Sequence, residues 1–160
     1  MSSKQIWRPA APARTETVIG HPGSVEFLRR AKELGVKAIQ VSVSWRSAEP
    51  EEGRFDFSGV ERRAEEIVSC GLMWTPHLSF ANAAPDWFVE KGLSLKQRCV
   101  EHAKENGQQS IFNPHLREQL DRYYRAFDEY FTGRLRDAIY ELSLIHISEP
   151  TRPLYISYAV

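Results

Sequence analysis

The stretch VKAIQVSVSWRSAEPEEGRFDFSGVE, Val36 to Glu61, holds the alternation on which the fold turns. Ile39, Val41 and Val43 share one phase, and Gln40, Ser42 and Ser44 share the other, which is the period of a β-strand. After Trp45 the chain turns through Glu49-Pro50-Glu51-Glu52-Gly53 and Phe55-Asp56-Phe57. Ser58 with Glu61 three residues later reads as a capping box, opening a helix that runs to Cys70 before Gly71.

The same grammar lies on either side. Upstream, Ser24 caps a helix through Leu34, with Val25, Leu28, Ala31 and Leu34 on one face and Gly35 to end it. Downstream, LMWTPHLSF (Leu72 to Phe80) sets Leu72, Trp74 and Leu78 against Thr75, His77 and Ser79. Thr15 to Gly20 offers a short first strand. A third unit is stretched: from Ala81 to Asn113 no helical stripe exists. Asn113 then caps and Pro114 opens a helix whose stripe runs from Leu116 to Phe131, with Gly133 after it and Arg136 to Leu142 as the start of one more strand.

Helices alternating with strands imply parallel strands joined by crossover helices. A central strand of a doubly wound sheet is covered on both faces and should be apolar on both. Here both strands carry a polar face, and no GxGxxG stands at a strand–helix turn. The α/β class is therefore predicted to be a (β/α)₈ barrel.

Composition narrows the partners. With 21 basic and 21 acidic residues in 160, the formal charge is zero, which argues against nucleic acid or an acidic membrane surface. No apolar run reaches the ~20 residues of a membrane helix. The start, MSSKQIWRPAAPARTET, lacks the apolar core of a signal peptide, so a cytoplasmic location is expected. Cys70 and Cys99 lie far apart and read as two thiols. Cys99 and His102 are close in sequence, but two potential ligands do not make a zinc site, so neither a metal nor a cofactor is expected.

The pattern W-x-x-x-E-P-x-x-G-x-F-D-F from Trp45 to Phe57 resembles the second βα unit of clan-A-type (β/α)₈ glycoside hydrolases. The likeness extends from Ser24 to Glu141. It is nearest to β-galactosidases of glycoside hydrolase family 42 and to the related family 14, the β-amylases, although the glycine-rich loop of family 14 is lacking after LSF. The resemblance implies hydrolysis of glycosidic bonds by two carboxylates, with a carbohydrate substrate. The acid/base glutamate would follow a fourth strand and its partner would come much later, so no Asp or Glu of this chain is assigned to catalysis.

What carries over is part of a sugar-binding wall: Trp45, His77, Ser79, Phe80 and Asn82 at strand ends, with Trp87, Glu101, His102 and Asn113 in the long loop. Structural readings stand beside these: Trp45 as a rim plug, His77 as a hydrogen-bonded barrel histidine, Trp87 as loop packing, Asn113 as a helix cap. Two other classes compete. A metal-dependent sugar-isomerase-like barrel needs acidic and His ligands at strand ends, where only His77 stands. A non-catalytic carbohydrate-binding protein would have to be complete at this length.

The last residues break the grammar. Leu142 to Arg152 and Ile156 to Val160 resemble the one-frame translation of a transposon-type sequencing adapter, in consistent register across Pro153 to Tyr155. On this reading residues 1–141 are the N-terminal part of the barrel domain, against ~250 residues for a whole barrel, and 142–160 are a non-native tail. Unpaired edges and bare apolar surface would then leave the chain aggregation-prone and inactive.

Overall fold

A computed structural model of the chain describes residues 17–18 and 24–144, with the side chains of Ser143 and Leu144 outside the description. The remainder of the Thr15–Gly20 strand and residues 145–160 of the adapter-like tail lie outside the described residues.

The strands are β1 (Thr17–Val18), β2 (Ala38–Ser44), β3 (Met73–Ser79), β4 (Lys96–Arg98), β5 (Glu105–Gln109) and β6 (Ser143–Leu144). The helices are α1 (Val25–Glu33), α2 (Trp45–Ala48), α3 (Ser58–Ser69), α4 (Asp86–Glu90) and α5 (Pro114–Phe131). One sheet runs β1-β2-β3-β6, parallel throughout, and β4 and β5 form a separate antiparallel hairpin. The spatial order follows chain order, without the reversal that marks a doubly wound sheet. This is a partial α/β barrel layer, as the polar strand faces predict.

The β2–β3 register pairs Ile39 with Trp74, Gln40 with Thr75, Ser42 with His77 and Ser44 with Ser79. The apolar phases therefore add into one face and the polar phases into the other. The apolar face and the helices bury Leu28, Ile39, Val43, Ala64, Ile67, Trp74, Leu78 and the α5 residues Leu116, Tyr123, Phe127 and Phe131. Phe57 sits at the centre, its ring 5.4–6.4 Å from those of Tyr123, Phe127, Tyr130 and Phe131.

Several expectations are corrected. In α1 only Leu28 and Ala31 are buried, while Val25 and Leu34 at the two ends are exposed. The helix is nine residues long, and only its middle packs against the core. The capping box at Ser58 does not form. Phe57 holds the cap position, and Asp56 Oδ1 accepts the Ser58 N–H at 2.9 Å instead. The Ala81–Asn113 stretch contains α4 and the β4–β5 hairpin. The hairpin strands, KQR and ENGQQ, are polar on both faces and carry no alternation. The segment Arg136 to Ala138 is a 3₁₀ turn. The chain then regains β3: Ile139 bridges Trp74, the Tyr140 N–H donates to the Trp74 carbonyl at 2.8 Å, and β6 pairs with His77 and Leu78. Backbone pairing requires no particular side chains, so β6 does not bear on the origin of the tail.

Glu61, freed from capping, accepts from the Tyr130 hydroxyl and the Arg134 guanidinium, both at 2.7 Å. The Tyr130 hydrogen bond first, and Arg134 second, hold its carboxyl below the ordinary value of 4.5. A carboxyl lowered on folding adds stability above its unfolded pKa, and that contribution is lost as pH falls through the folded one. Glu61→Gln should therefore flatten the decline in stability below about pH 4.5, measured by urea unfolding at neutral pH and at acid pH. Identical acid slopes in the two chains would contradict the assignment.

Candidate active-site rim

The polar faces of β2 and β3 and the loops that follow them form one end of the sheet. In a barrel this C-terminal end is where sites are built. Gln40, Ser42, Ser44 and His77 line a cleft of about 600 Å³ along β2, together with Ser47, Asp56 and the first turns of α3. Thr75, next along the same face of β3, is buried, and its hydroxyl has no hydrogen-bond partner among the described residues.

The loop after β2 is organised by Glu49, the first residue of the turn read in the sequence. Its side chain is fully buried, at 0 % exposure. The Trp45 indole Nε1–H donates to Oε2 at 2.7 Å, and the Gly53 N–H donates to Oε1 at 2.7 Å. The Arg122 guanidinium, reaching in from α5, makes an ion pair with Oε1. The Glu49 carbonyl in turn accepts the Trp87 indole N–H at 3.1 Å. Four elements thus converge on one residue: α2, the following turn, α4 and α5.

This knot explains the spacing of the W-x-x-x-E-P-x-x-G pattern. The first helical turn, α2, puts residues i and i+4 on one side, so the Trp45 indole meets the Glu49 carboxylate. Four residues on, the chain doubles back with Gly53 at φ +78°, a conformation that side chains resist, and its N–H faces the second oxygen. The Arg122 guanidinium carbon lies 6.0 Å from the ring centroids of both Phe55 and Trp87. Its planar cation is therefore held by ring faces as well as by the carboxylate.

The knot fixes where the proposed wall residues stand. Trp45 is fully buried. Its ring meets Trp87 edge-on at 6.1 Å and lies 5.2 Å from Phe88 and 6.3 Å from Tyr123, so it has no face open in this chain. Trp87 is nearly buried beside it. Ser79 is buried, with its hydroxyl directed to the Val43 carbonyl at 3.4 Å, and Phe80 is buried as well. Asn113 is buried as the α5 cap: Oδ1 accepts the His115 N–H at 3.1 Å and Nδ2 donates to the Leu93 carbonyl at 2.8 Å.

Two wall residues are reachable at the rim. His77 is half-buried on the inner face, and Asn82 is exposed in a second cleft with Arg46, Asp86, Lys96 and Gln109. Glu101 and His102 stand apart from both, exposed at the tip of the β4–β5 hairpin. The structure therefore brings Trp45 and Trp87 together inside the rim, and His77 with the β2 polar face beside it. Glu49 and Arg122 are the pair that sequence reading missed. The W-x-x-x-E spacing was a usable signal for Glu49. Arg122, 73 positions away, had none.

Residues 24–140 match the family model described as β-galactosidase, glycoside hydrolase family 42. The chain is 26 % identical over 116 residues to β-galactosidase BbgII of Bifidobacterium bifidum, covering 66 % of this chain and 16 % of that protein. Among solved structures, it resembles the catalytic domain of β-amylase from Paenibacillus polymyxa, with a TM-score of 0.69 and 26 % identity, over 81 % of this chain and 36 % of that one. It also resembles β-galactosidase from the psychrophilic Marinomonas ef1, with a TM-score of 0.65 and 17 % identity, over 81 % of this chain and 21 % of that one. The chain thus spans only a small part of the length of each of these relatives. Among the described residues no helix is long and apolar enough to cross a membrane. By the match over residues 24–140, the chain belongs to glycoside hydrolase family 42.

Proposed function

We propose that the whole protein hydrolyses O-glycosidic bonds as a β-galactosidase-like enzyme. On this proposal residues 1–141 supply the first strands of its (β/α)₈ barrel and residues 142–160 are a non-native, adapter-derived tail. The observation that carries the reading is the family match, which runs over the Glu49 knot and the polar faces of β2 and β3. Carbohydrate is the proposed substrate, met at the rim by His77 and Asn82. Trp45, Ser79, Phe80, Trp87 and Asn113 support that wall from behind, and Glu101 and His102 belong to the hairpin beyond it. The proposed location is the cytoplasm.

The chemistry requires an acid/base carboxylate and a second carboxylate on the other side of the scissile bond. Neither is proposed among the residues of this chain. The contribution of this chain is binding and positioning: a rim of fixed shape in front of which a sugar hydroxyl can exchange water for side-chain hydrogen bonds.

A β-amylase-like activity is the second reading, favoured by the TM-score of 0.69 to the Paenibacillus polymyxa catalytic domain. The test is to express the full-length parent gene and assay it on a nitrophenyl β-galactoside and on soluble starch, beside the present chain. Galactoside hydrolysis by the parent alone is expected. Starch hydrolysis without galactoside hydrolysis would overturn the β-galactosidase reading in favour of the second, and turnover by the present chain would overturn the assignment of both carboxylates elsewhere.

A further inference from the structure

We propose that the tip of the β4–β5 hairpin is a zinc site made by Cys99, Glu101 and His102, separate from the carbohydrate rim. One ligand atom from each residue lies within 4.8 Å of the other two. Cys99 Sγ and His102 Nδ1 are 3.3 Å apart. Zinc bonded to sulfur at about 2.3 Å and to nitrogen at about 2.0–2.1 Å, with tetrahedral angles, sets such a pair ~3.6 Å apart. An ion therefore enters after a shift of a few tenths of an ångström, and the exposed Glu101 side chain turns to complete a third bond.

The turn presents these groups together because its backbone is closed. The Cys99 N–H donates to the Lys104 carbonyl at 2.8 Å, and Arg98 pairs with Glu105 just below. Ala103 takes a left-handed φ of 51°, a sparsely populated region for a residue with a Cβ. The spacing C-x-E-H thereby folds back so that the first, third and fourth residues face one point.

The donor set selects the ion. A thiolate with an imidazole suits a borderline-soft cation, whereas calcium and magnesium take oxygen ligands. Three protein ligands leave one tetrahedral corner, which water fills at this exposed turn. Binding releases the thiol proton to solvent, since the thiolate is the ligand.

The ion's place gives it a mechanical role. The Gln109 N–H donates to the Ala81 carbonyl and the Ser110 N–H to the Leu95 carbonyl, both at 2.7 Å. The hairpin base is thus anchored to the loop that leaves β3, and the tip is closed by pairing of its own strands. Zinc at the tip stiffens a projection that rises from the rim.

The test uses the full 160-residue chain and Co²⁺ alone as the probe, followed by competition with Zn²⁺. The expected result is one ion per chain, with thiolate-to-cobalt charge-transfer absorption and the intense visible bands of a tetrahedral site, all displaced by Zn²⁺. Cys99→Ser should abolish the charge-transfer band, and His102→Ala should weaken binding at least about tenfold. Cys70→Ser should leave both unchanged. Glu101 and His102 are exposed and Cys99 is half-buried at the hairpin tip, so these variants should keep the wild-type far-ultraviolet circular dichroism. Absence of saturable binding, a charge-transfer band that survives Cys99→Ser, or one lost only with Cys70→Ser would overturn the site.

Discussion

Replacing Glu49 with alanine should cost about 2–4 kcal/mol of stability. A domain of this size has ~5–15 kcal/mol to lose, so much of the protein would be unfolded or aggregated at 37 °C. The side chain is fully buried, and the substitution removes the acceptor of the Trp45 indole, the Gly53 amide and the Arg122 guanidinium together. The Trp45 indole N–H then remains in the interior without a partner, worth about 1–3 kcal/mol when unsatisfied, while Gly53 is exposed and its N–H can turn to water. Arg122, about a third exposed, can turn to water and adds less. Urea unfolding followed by tryptophan fluorescence reads the loss directly, since both Trp45 and Trp87 hydrogen-bond to this residue. Glu49→Gln keeps the volume but places an amide where two acceptor oxygens stood, and should fall between wild type and Glu49→Ala. A loss under about 1 kcal/mol for Glu49→Ala would show that the knot is ornamental.

The second large effect is expected at Phe57, the last aromatic of the F-D-F segment. Its ring is 1 % exposed and touches four aromatic rings of α5, so it joins the loop after β2 to that helix. Phe57→Ala removes that contact and leaves a void the flanking rings cannot close, at a cost of about 3–5 kcal/mol. Phe55 stacks on Phe57 at 6.1 Å but is only half-buried, so Phe55→Ala should cost less than half as much. Equal losses at the two positions, in the same urea experiment, would mean that the α5 contact is not what holds the loop.

Under the proposed function both effects act through one route. A sugar-binding rim works only if its polar groups are held in place before the substrate arrives. The buried carboxylate and the Phe57 cluster fix the loop after β2, while the register of β2 against β3 fixes His77. Glu49 is accordingly a positioning residue. Its carboxylate is already engaged by three donors inside the protein and is not offered to solvent.

The parts of the fold legible in the sequence were those with strong local period. Strands β2 and β3 announced themselves by alternation, and the polar phase of each correctly excluded a doubly wound sheet. Ser24 and Asn113 were readable as caps because their side chains do the capping. Ser58 misled: a capping-box spacing was present, but Asp56 stood two residues earlier and took the amide. The β4–β5 hairpin was invisible because strands without apolar residues have no alternation to read. At the rim, a tryptophan at a strand end fits a stacking platform and a buried plug equally well in sequence. The plug geometry of Trp45 became visible only with Glu49, Trp87 and Tyr123 in view, and the contacts with Trp87 and Tyr123 span distant positions.

Under the proposed function, residues 24–140 are the opening units of a longer glycosidase barrel. The most direct measurement is the source DNA across codon 141, recovered by amplifying outward or by assembling overlapping reads. The expected result is a native frame that leaves the present sequence near Leu142, completes a fourth strand, places a glutamate in the loop after it, and continues for about four more βα units. Genomic DNA that encodes Leu142 to Val160 as written would contradict it: the tail would then be native, and the likeness to a hydrolase would be that of a shared half-barrel in a small α/β protein.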